Sequence, residues 1–223
     1  MGLTLIKIVM SQGRMLKVSN LTHYYKNNAV IKNLSFELGQ SEMLCLSGRN
    51  GSGKSTLLRL LSGIEIPNQG EIEFDGFSVV NSFEKIKSKI GLNEVGIYSH
   101  LTIKENLELF SNLCSVSSDY LNDKINLFKL ENELNKFPGN CSSGYIKRIS
   151  FLISILKKPK LLLLDEPLVF LDVEIRKQIL NEIKDTLERQ ASVVIATHLV
   201  ETLKEEVRDF KFKTLQLVKG GAS

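Results

Sequence analysis

The spacing of hydrophobic and polar positions changes along the chain, and each change predicts a different kind of element. Apolar and β-branched stretches at residues 16–18, 31–38 and 71–74 predict antiparallel strands, the last of them before a turn at residues 75–76. Residues 43–47, 161–164 and 192–196 are almost uninterrupted apolar runs, which predicts strands buried on both faces. An opening β section is therefore expected to precede a mostly parallel sheet.

Helical spacing is concentrated in the middle of the chain. Residues 106–113, 120–130 and 145–156 all carry it with little strand signal between them, so residues 94–156 predict a helical insertion. Residues 57–61 predict a largely apolar helix, and residues 175–187 an amphipathic one. We expect an α/β fold over residues 15–223, after a short N-terminal extension at residues 1–14 that precedes a second candidate start at Met15.

Composition excludes several classes of protein. With 223 residues, 43% of them hydrophobic, the chain is long enough for one substantial core. The 29 basic residues exceed the 25 acidic ones only mildly, and no aromatic residues interleave with the basic runs, so no nucleic-acid partner is expected. Three cysteines without a C-x-x-C spacing favour a reducing, cytosolic compartment. No apolar run approaches the ~20 residues of a membrane span, so direct membrane insertion is not expected.

The segment GRNGSGKST at residues 48–56 matches G-x-x-x-x-G-K-[ST] between a predicted strand and a predicted helix. Its glycines let successive N–H groups face inward at a helix N-terminus, where phosphate is favoured. Lys54 is expected to bridge the β- and γ-phosphates of a nucleotide, and the Ser55 hydroxyl to bind Mg²⁺. The predicted nucleotide-binding residues of this P-loop are Gly48, Arg49, Asn50, Gly51, Ser52, Gly53, Lys54, Ser55 and Thr56.

The segment LLLLDEP at residues 161–167 places two carboxylates at the end of a dry strand. A buried carboxylate must find a cation or take up a proton. Mg²⁺ would satisfy this requirement: Asp165 is expected to hold the ion through water, and Glu166 to orient and polarise the attacking water. The alternative is a strand that simply ends in an acidic turn.

His198 follows the apolar run at residues 192–196. Open α/β sheets bind ligands at the carboxyl ends of their strands, so His198 is expected to contact a γ-phosphate there. A single histidine that did not follow a strand of such a sheet would more often be a core or turn residue.

Together these motifs resemble the ATP-binding subunit of ABC transporters, from residue 15 to residue 199. The loop at 48–55, the strand at 161–166, the pair Leu171-Asp172 and the pair Thr197-His198 follow the family's order. The resemblance implies a P-loop NTPase with a mostly parallel central sheet, an N-terminal antiparallel β-subdomain and a helical subdomain insertion. It also implies ATP and Mg²⁺ as cofactors, ATP hydrolysis, adenine stacking on Tyr25 and a place for Asp172 at the nucleotide.

The segment CSSGYIKR at residues 141–148 could by itself be a cysteine nucleophile, a serine elbow or the start of a core helix. In the resemblance it takes the place of the family's Leu-Ser-Gly-Gly-Gln signature. This implies that Ser142 and Gly144 close over the γ-phosphate bound to a second subunit, in a head-to-tail homodimer or heterodimer. Cys141 is then expected to be a small hydrophobic residue.

Some positions depart from the family pattern. Ser143 replaces a glycine of the signature, Tyr145 replaces its usual glutamine or methionine, and Arg49 stands where proline is common. Asn93 falls where the family has a glutamine that reaches Mg²⁺, so it is a predicted metal ligand with a shorter side chain.

The resemblance also implies a partner and a location. The expected partner is a separate integral membrane permease, which would hold the subunit at the cytoplasmic face of the cell membrane. The compact length is similar to small exporter-type subunits, including the haem-export ATPase of cytochrome c maturation. Two alternatives from other classes are a soluble P-loop kinase of a small molecule and an ATP-dependent switch that takes no part in transport.

Overall fold

A computed structural model describes residues 14–94, 96–218 and 221–222. Its strands are β1 (Arg14–Tyr25), β2 (Asn28–Gly39), β3 (Glu42–Ser47), β4 (Gln69–Phe74), β5 (Phe77–Ser78), β6 (Ile90–Leu92), β7 (Leu161–Asp165), β8 (Ser192–Ala196), β9 (Lys211–Val218) and β10 (Gly221–Ala222). Its α-helices are α1 (Lys54–Ser62), α2 (Phe83–Ile86), α3 (Ile103–Leu113), α4 (Ser118–Leu127), α5 (Ser143–Ile155), α6 (Val173–Glu188) and α7 (Val200–Glu206). Among the helices of these ranges, none is both long and apolar enough to cross a bilayer.

The central sheet has the strand order β10-β9-β3-β8-β7-β6. Strands β9, β3, β8, β7 and β6 run parallel to their neighbours, and β10 pairs antiparallel with β9. The carboxyl ends of β3, β7 and β8 therefore meet at one end of the sheet, where the P-loop, Glu166 and Thr197 begin the following loops. This end is where an open α/β sheet binds its ligand.

Alternate side chains of the central strands enter two separate apolar layers. In β7, Leu162 and Leu164 pack into the layer formed with α3 to α7, whereas Leu161 and Leu163 pack into the layer formed with α1 and the first strands. All four leucines are fully buried. The uninterrupted apolar run follows from this arrangement, because a strand covered on both faces has no polar side.

A second, antiparallel sheet of order β2-β1-β4-β5 covers the α1 side of the molecule. Between residues 96 and 156 the regular elements are helical: α3, α4, α5 and the short 3-10 turns Glu131–Glu133 and Pro138–Asn140. The predicted fold class, with its parallel central sheet, antiparallel section and helical segment, agrees with these elements. The boundary at residues 94–156 stays a prediction, and the predicted extension at 1–14 lies outside the described residues except Arg14, which begins β1.

Sequence reasoning missed β9. Lys211 and Lys213 are exposed, but the backbone of this segment pairs with all of β3 from Glu42 to Ser47. Strand β9 therefore forms one side of the strand that leads into the P-loop.

A buried carboxylate joins β3 to β9. Glu42 accepts a hydrogen bond of 2.6 Å from Lys213 Nζ and one of 2.8 Å from the Gly39 N–H, and Lys211 Nζ lies 3.6 Å away. Burial raises the pKa of the Glu42 carboxyl, but these hydrogen bonds and the two lysine charges outweigh burial and hold the pKa below its ordinary 4.5.

Replacing Glu42 with glutamine is expected to lower the free energy of unfolding at pH 7 by about 1–2 kcal/mol, since a charge-assisted hydrogen bond is lost. The folded pKa is lowered, so this stabilisation is present above the unfolded value near 4.5 and is lost as the pH falls through the folded pKa. Urea unfolding from pH 7 to pH 3 measures both effects. Glu84→Gln, at an exposed i,i+3 pair with Lys87, is the control and should change little. Equal losses for the two variants would contradict the assignment.

Candidate functional site

The P-loop closes around its own lysine. The loop joins β3 to α1, and Lys54 is almost fully buried, with its Nζ donating to the carbonyl oxygens of Gly48 at 2.8 Å and Arg49 at 3.3 Å. Gly53 precedes α1 with a left-handed φ of 100°. The ammonium group and the free N–H groups of a helix N-terminus thus lie together, which is an arrangement suited to phosphate.

Gly48 is held against β9. Its φ is +143°, and a Cβ atom at this position would lie only 2.3 Å from the carbonyl oxygen of Leu217. Only glycine combines this backbone conformation with so close an approach.

The P-loop and β7 meet at Ser55 and Asp165. The Ser55 hydroxyl donates a hydrogen bond of 2.5 Å to Asp165 Oδ2. Mg²⁺ prefers oxygen ligands and commonly takes one or two protein groups together with phosphate oxygens and water. One hydroxyl and one carboxylate that converge beside a phosphate loop fit this preference.

Asn93 binds the backbone of Asp165 at two points. Its Oδ1 accepts from the Asp165 N–H at 2.7 Å, and its Nδ2 donates to the Asp165 carbonyl oxygen at 3.1 Å. The structure thus brings Asn93 to the predicted metal site, with its amide already engaged to the main chain of another predicted ligand. These two hydrogen bonds could not be predicted from the sequence. Direct binding of Mg²⁺ by Asn93 stays a prediction.

Glu166 has a left-handed backbone with φ of +43° and donates its N–H to the Ala196 carbonyl oxygen at 2.8 Å. Within the described residues, neither buried oxygen of its carboxylate accepts a hydrogen bond. The Nε2 atom of His198 lies 3.3 Å from Glu166 Oε1, and more than half of the His198 side chain is exposed. The two predicted catalytic residues are therefore adjacent, and the carboxylate retains free lone pairs that can accept a proton.

A cavity of about 680 Å³ unites most of the predicted site. The predicted residues that line it are Tyr25, Asn50, Gly51, Gly53, Lys54, Ser55, Thr56, Asn93, Asp165 and Glu166. Gly48, Arg49 and Ser52 instead line a smaller cavity of about 370 Å³ on the β9 side of the loop. Ser142, Gly144, Asp172 and His198 are outside the lining of both.

Tyr25 is held at the rim of the larger cavity by a charged cluster. Its hydroxyl donates to the Glu65 carboxylate, 2.6 and 2.7 Å from the two oxygens, and accepts from Arg59 Nη2 at 3.2 Å. Burial raises the pKa of Glu65, but the bonds from Tyr25 and Arg59 outweigh it and leave the pKa lowered. Arg59 also binds Glu94, next to Asn93. The ring is thus fixed beside the P-loop, and its stacking on adenine stays a prediction.

Comparison with known proteins agrees with this geometry. The model of the family described as ABC transporter matches residues 31–169. The chain belongs to the ABC transporter family. It is 30% identical over 88% of its length to the ABC-type transporter ATP-binding protein EcsA of Bacillus subtilis, of which it covers 82%. It is 29% identical over 83% of its length to the spermidine/putrescine import ATP-binding protein PotA of Thermotoga maritima, and spans only about half of that relative, 52%.

A solved dimer of the ATP-binding cassette MJ0796, in a post-hydrolysis state bound to ADP and Pi, has a TM-score of 0.78 and 25% identity. The match covers 94% of this chain and 97% of that one. The chain is thus an ABC-type ATPase domain that binds ATP, and its predicted fold class is confirmed.

In this ABC domain the signature segment begins α5. Ser142 is the N-cap, and its Oγ accepts from the Tyr145 N–H at 3.2 Å. Gly144 packs closely on the loop between β7 and α6, since a Cβ atom on Gly144 would lie 2.5 Å from the Phe170 carbonyl oxygen. The Tyr145 hydroxyl donates to the Leu130 carbonyl oxygen, and burial raises its pKa to about 12. Tyr145 therefore ties α5 to the end of the α4 segment, which accounts physically for a tyrosine here.

Asp172 is the N-cap of α6. Its Oδ1 accepts from the Ile175 N–H at 2.8 Å, and this hydrogen bond lowers the pKa of the carboxyl. The structure thus gives Asp172 a local role in starting a helix, and contact between Asp172 and a nucleotide stays a prediction.

Sequence reasoning missed Lys147 and Ser150, which line the cavity from α5. A signal existed, because Gly144, Lys147 and Ser150 are three residues apart and such residues are neighbours on one helix face. On this face Lys147 and Ser150 line the cavity of their own chain, whereas Gly144 does not.

Proposed function

We propose that this chain is an ATP-hydrolysing subunit that dimerises head-to-tail around MgATP and drives a separate membrane permease. The observation that carries the proposal is the division of the family's motifs between two places. The P-loop, Asp165 and Glu166 line one cavity, whereas Ser142 and Gly144 of the signature lie outside its lining. A second chain is the natural source of the missing signature, and the dimeric state of the MJ0796 cassette supports this arrangement.

The proposal assigns a role to each of the main polar residues of the site. Lys54 and the P-loop N–H groups bind the β- and γ-phosphates, while Ser55 and Asp165 hold Mg²⁺, with Asn93 fixing the main chain of Asp165. Mg²⁺ would neutralise phosphate charge when bound. Glu166 accepts a proton from the attacking water, since its oxygens are buried and without hydrogen bonds among the described residues. His198, 3.3 Å from Glu166, would contact the γ-phosphate.

The finer parts of the proposal concern partners and direction. Tyr25 would stack on adenine, and the signature of one subunit would complete the phosphate site of the other, in a homodimer or a heterodimer. The permease would keep the subunit at the cytoplasmic face of the membrane. Export stays a prediction, because PotA is by name an import protein. Membership of the ABC family favours this function over a small-molecule kinase.

The test uses two serine N-caps. Ser142 caps α5 and Ser117 caps α4 in the same way, each accepting from the N–H three residues later. Aspartate is as good an N-cap as serine, so Ser142→Asp keeps the helix start and adds a negative charge to the signature. We expect this variant to lose ATP-dependent dimerisation and to hydrolyse ATP about 100-fold more slowly, because the charge repels a partner's γ-phosphate. Its monomer should bind ATP as the wild type does.

Size exclusion with MgATP, phosphate release and ATP titration of the monomer measure the three properties. Ser117→Asp is the matched control and should leave all three unchanged. A Ser142→Asp monomer that binds ATP poorly would place the signature in the chain's own site and contradict the proposed dimer. If Ser142→Asp hydrolysed ATP at the wild-type rate, the signature would have no part in hydrolysis.

A further inference from the structure

The loop between β7 and α6 contains two strained residues. Glu166 and Phe170 both have positive φ, +43° and +64°. A left-handed conformation costs a residue with a side chain roughly 1–2 kcal/mol, so it persists only where neighbouring groups hold it. The conformation of Glu166 matters for the reaction, because it sets the direction of the proposed general base.

One face of α5 holds this loop at both strained residues. Near one end, Gly144 lies against the Phe170 carbonyl oxygen, where a Cβ atom would be only 2.5 Å away. One turn further along the helix, Lys147 Nζ donates a hydrogen bond of 2.8 Å to the Glu166 carbonyl oxygen. The same ammonium lies 5.6 Å from the centroid of the Phe170 ring.

The peptide groups of Glu166 are therefore held from two sides of the site. Its N–H binds the Ala196 carbonyl oxygen at the end of β8, and its carbonyl oxygen accepts from Lys147. A second donor to the same carbonyl oxygen, the Val169 N–H, is more distant at 3.5 Å. Among the described residues, these two groups donate to the Glu166 carbonyl oxygen, and of the two Lys147 belongs to another element and lines the nucleotide cavity.

Lys147 is partly buried close to the carboxylates of Asp165 and Glu166. Burial lowers the pKa of its ammonium, while the charges of Glu166 and Asp165 act in the opposite direction. Partly burying a lysine at the edge of a cavity is costly, and the hydrogen bond to Glu166 gives its ammonium group a defined partner.

We propose that Lys147 is a positioning residue for ATP hydrolysis, which holds the Glu166 backbone through the hydrogen bond from its Nζ to the Glu166 carbonyl oxygen. The inference rests on the proposed function, in which Glu166 activates the attacking water. Lys147 acts through Glu166 and not on the nucleotide. Its removal should therefore lower kcat and leave the KM for ATP unchanged.

A matched pair of variants separates the hydrogen bond from the rest of the side chain. Glutamine and methionine have the same length, and both remove the charge, but only glutamine retains an N–H donor. Lys147→Met is expected to lower kcat about tenfold, because the general base loses its alignment, with KM for ATP within about twofold of wild type. Lys147→Gln should recover at least about half of the wild-type kcat. Lys157→Met, an exposed lysine beyond the other end of α5, is the control and should behave as wild type.

Amide hydrogen exchange of the peptide covering residues 166–171 provides a readout without turnover. It should be faster in Lys147→Met than in wild type and near normal in Lys147→Gln. Equal loss of kcat in both variants, a change confined to KM, or unchanged exchange in Lys147→Met would each overturn the inference. Absence of turnover in both wild type and Lys157→Met would instead refute the proposed function, and the exchange data would then decide the role of Lys147.

Discussion

Replacing Glu166 with glutamine should reduce ATP turnover by about 100-fold or more, while ATP still drives the subunit into a dimer that dissociates slowly. Glutamine has nearly the shape of glutamate, so the left-handed loop and the neighbouring His198 can stay in place. It cannot accept a proton from water, so ATP would remain bound between the subunits. Phosphate release measures turnover, and size exclusion in the presence of ATP measures the dimer.

The control for this experiment is Glu201→Gln, which alters an exposed glutamate on α7 and should change neither property. The assigned role of Glu166 would be wrong if Glu166→Gln stayed monomeric with ATP and hydrolysed it at the normal rate. A dimer with normal turnover would equally exclude Glu166 as the base, since dimerisation alone does not require it.

Replacing Gly48 with alanine should lower the free energy of unfolding by about 3 kcal/mol or more in the absence of nucleotide. The expected loss has two sources. Alanine strongly disfavours a φ of +143°, and its Cβ would lie 2.3 Å from the Leu217 carbonyl oxygen, so either the P-loop or β9 must move. Urea unfolding gives the stability, and ATP titration should show weaker binding because the loop begins at this residue.

Gly51 supplies a matched control for stability within the same loop. Its φ is also positive, +77°, but a Cβ atom there would have no heavy atom within 4 Å. Gly51→Ala should therefore cost only about 1 kcal/mol, from backbone strain alone. Similar losses in the two variants would mean that contact with β9 contributes nothing to holding the P-loop.

Much of the fold and of the nucleotide cavity could be predicted because their signals are local. The P-loop glycines, the leucines of β7 and the helical spacing of α5 each specify an element within a short stretch of sequence. Strand β9 escaped prediction because its stabilising contacts are remote: Glu42 and the backbone of β3 pair with a segment whose most visible feature is its lysines.

The supporting contacts of the site were missed for a related reason. Asn93 and Lys147 both act on backbone atoms, at Asp165 and Glu166. A contact with the backbone cannot be recognised from the type of the partner residue, since every residue except proline carries both an N–H and a carbonyl group. The sequence could therefore indicate the groups expected to bind phosphate and metal, but not those that hold them in place.

The four leucines of β7 carry a further consequence. They are identical and buried on both faces, so sliding the strand by one position would exchange leucine for leucine at three of the four sites, with Lys160 or Asp165 entering the fourth. What a slide would break is the polar end of the strand, where Asp165 meets Ser55 and Asn93. The residues assigned to the proposed metal site thus also fix the register of the central strand, and replacing them should make other registers of β7 more accessible.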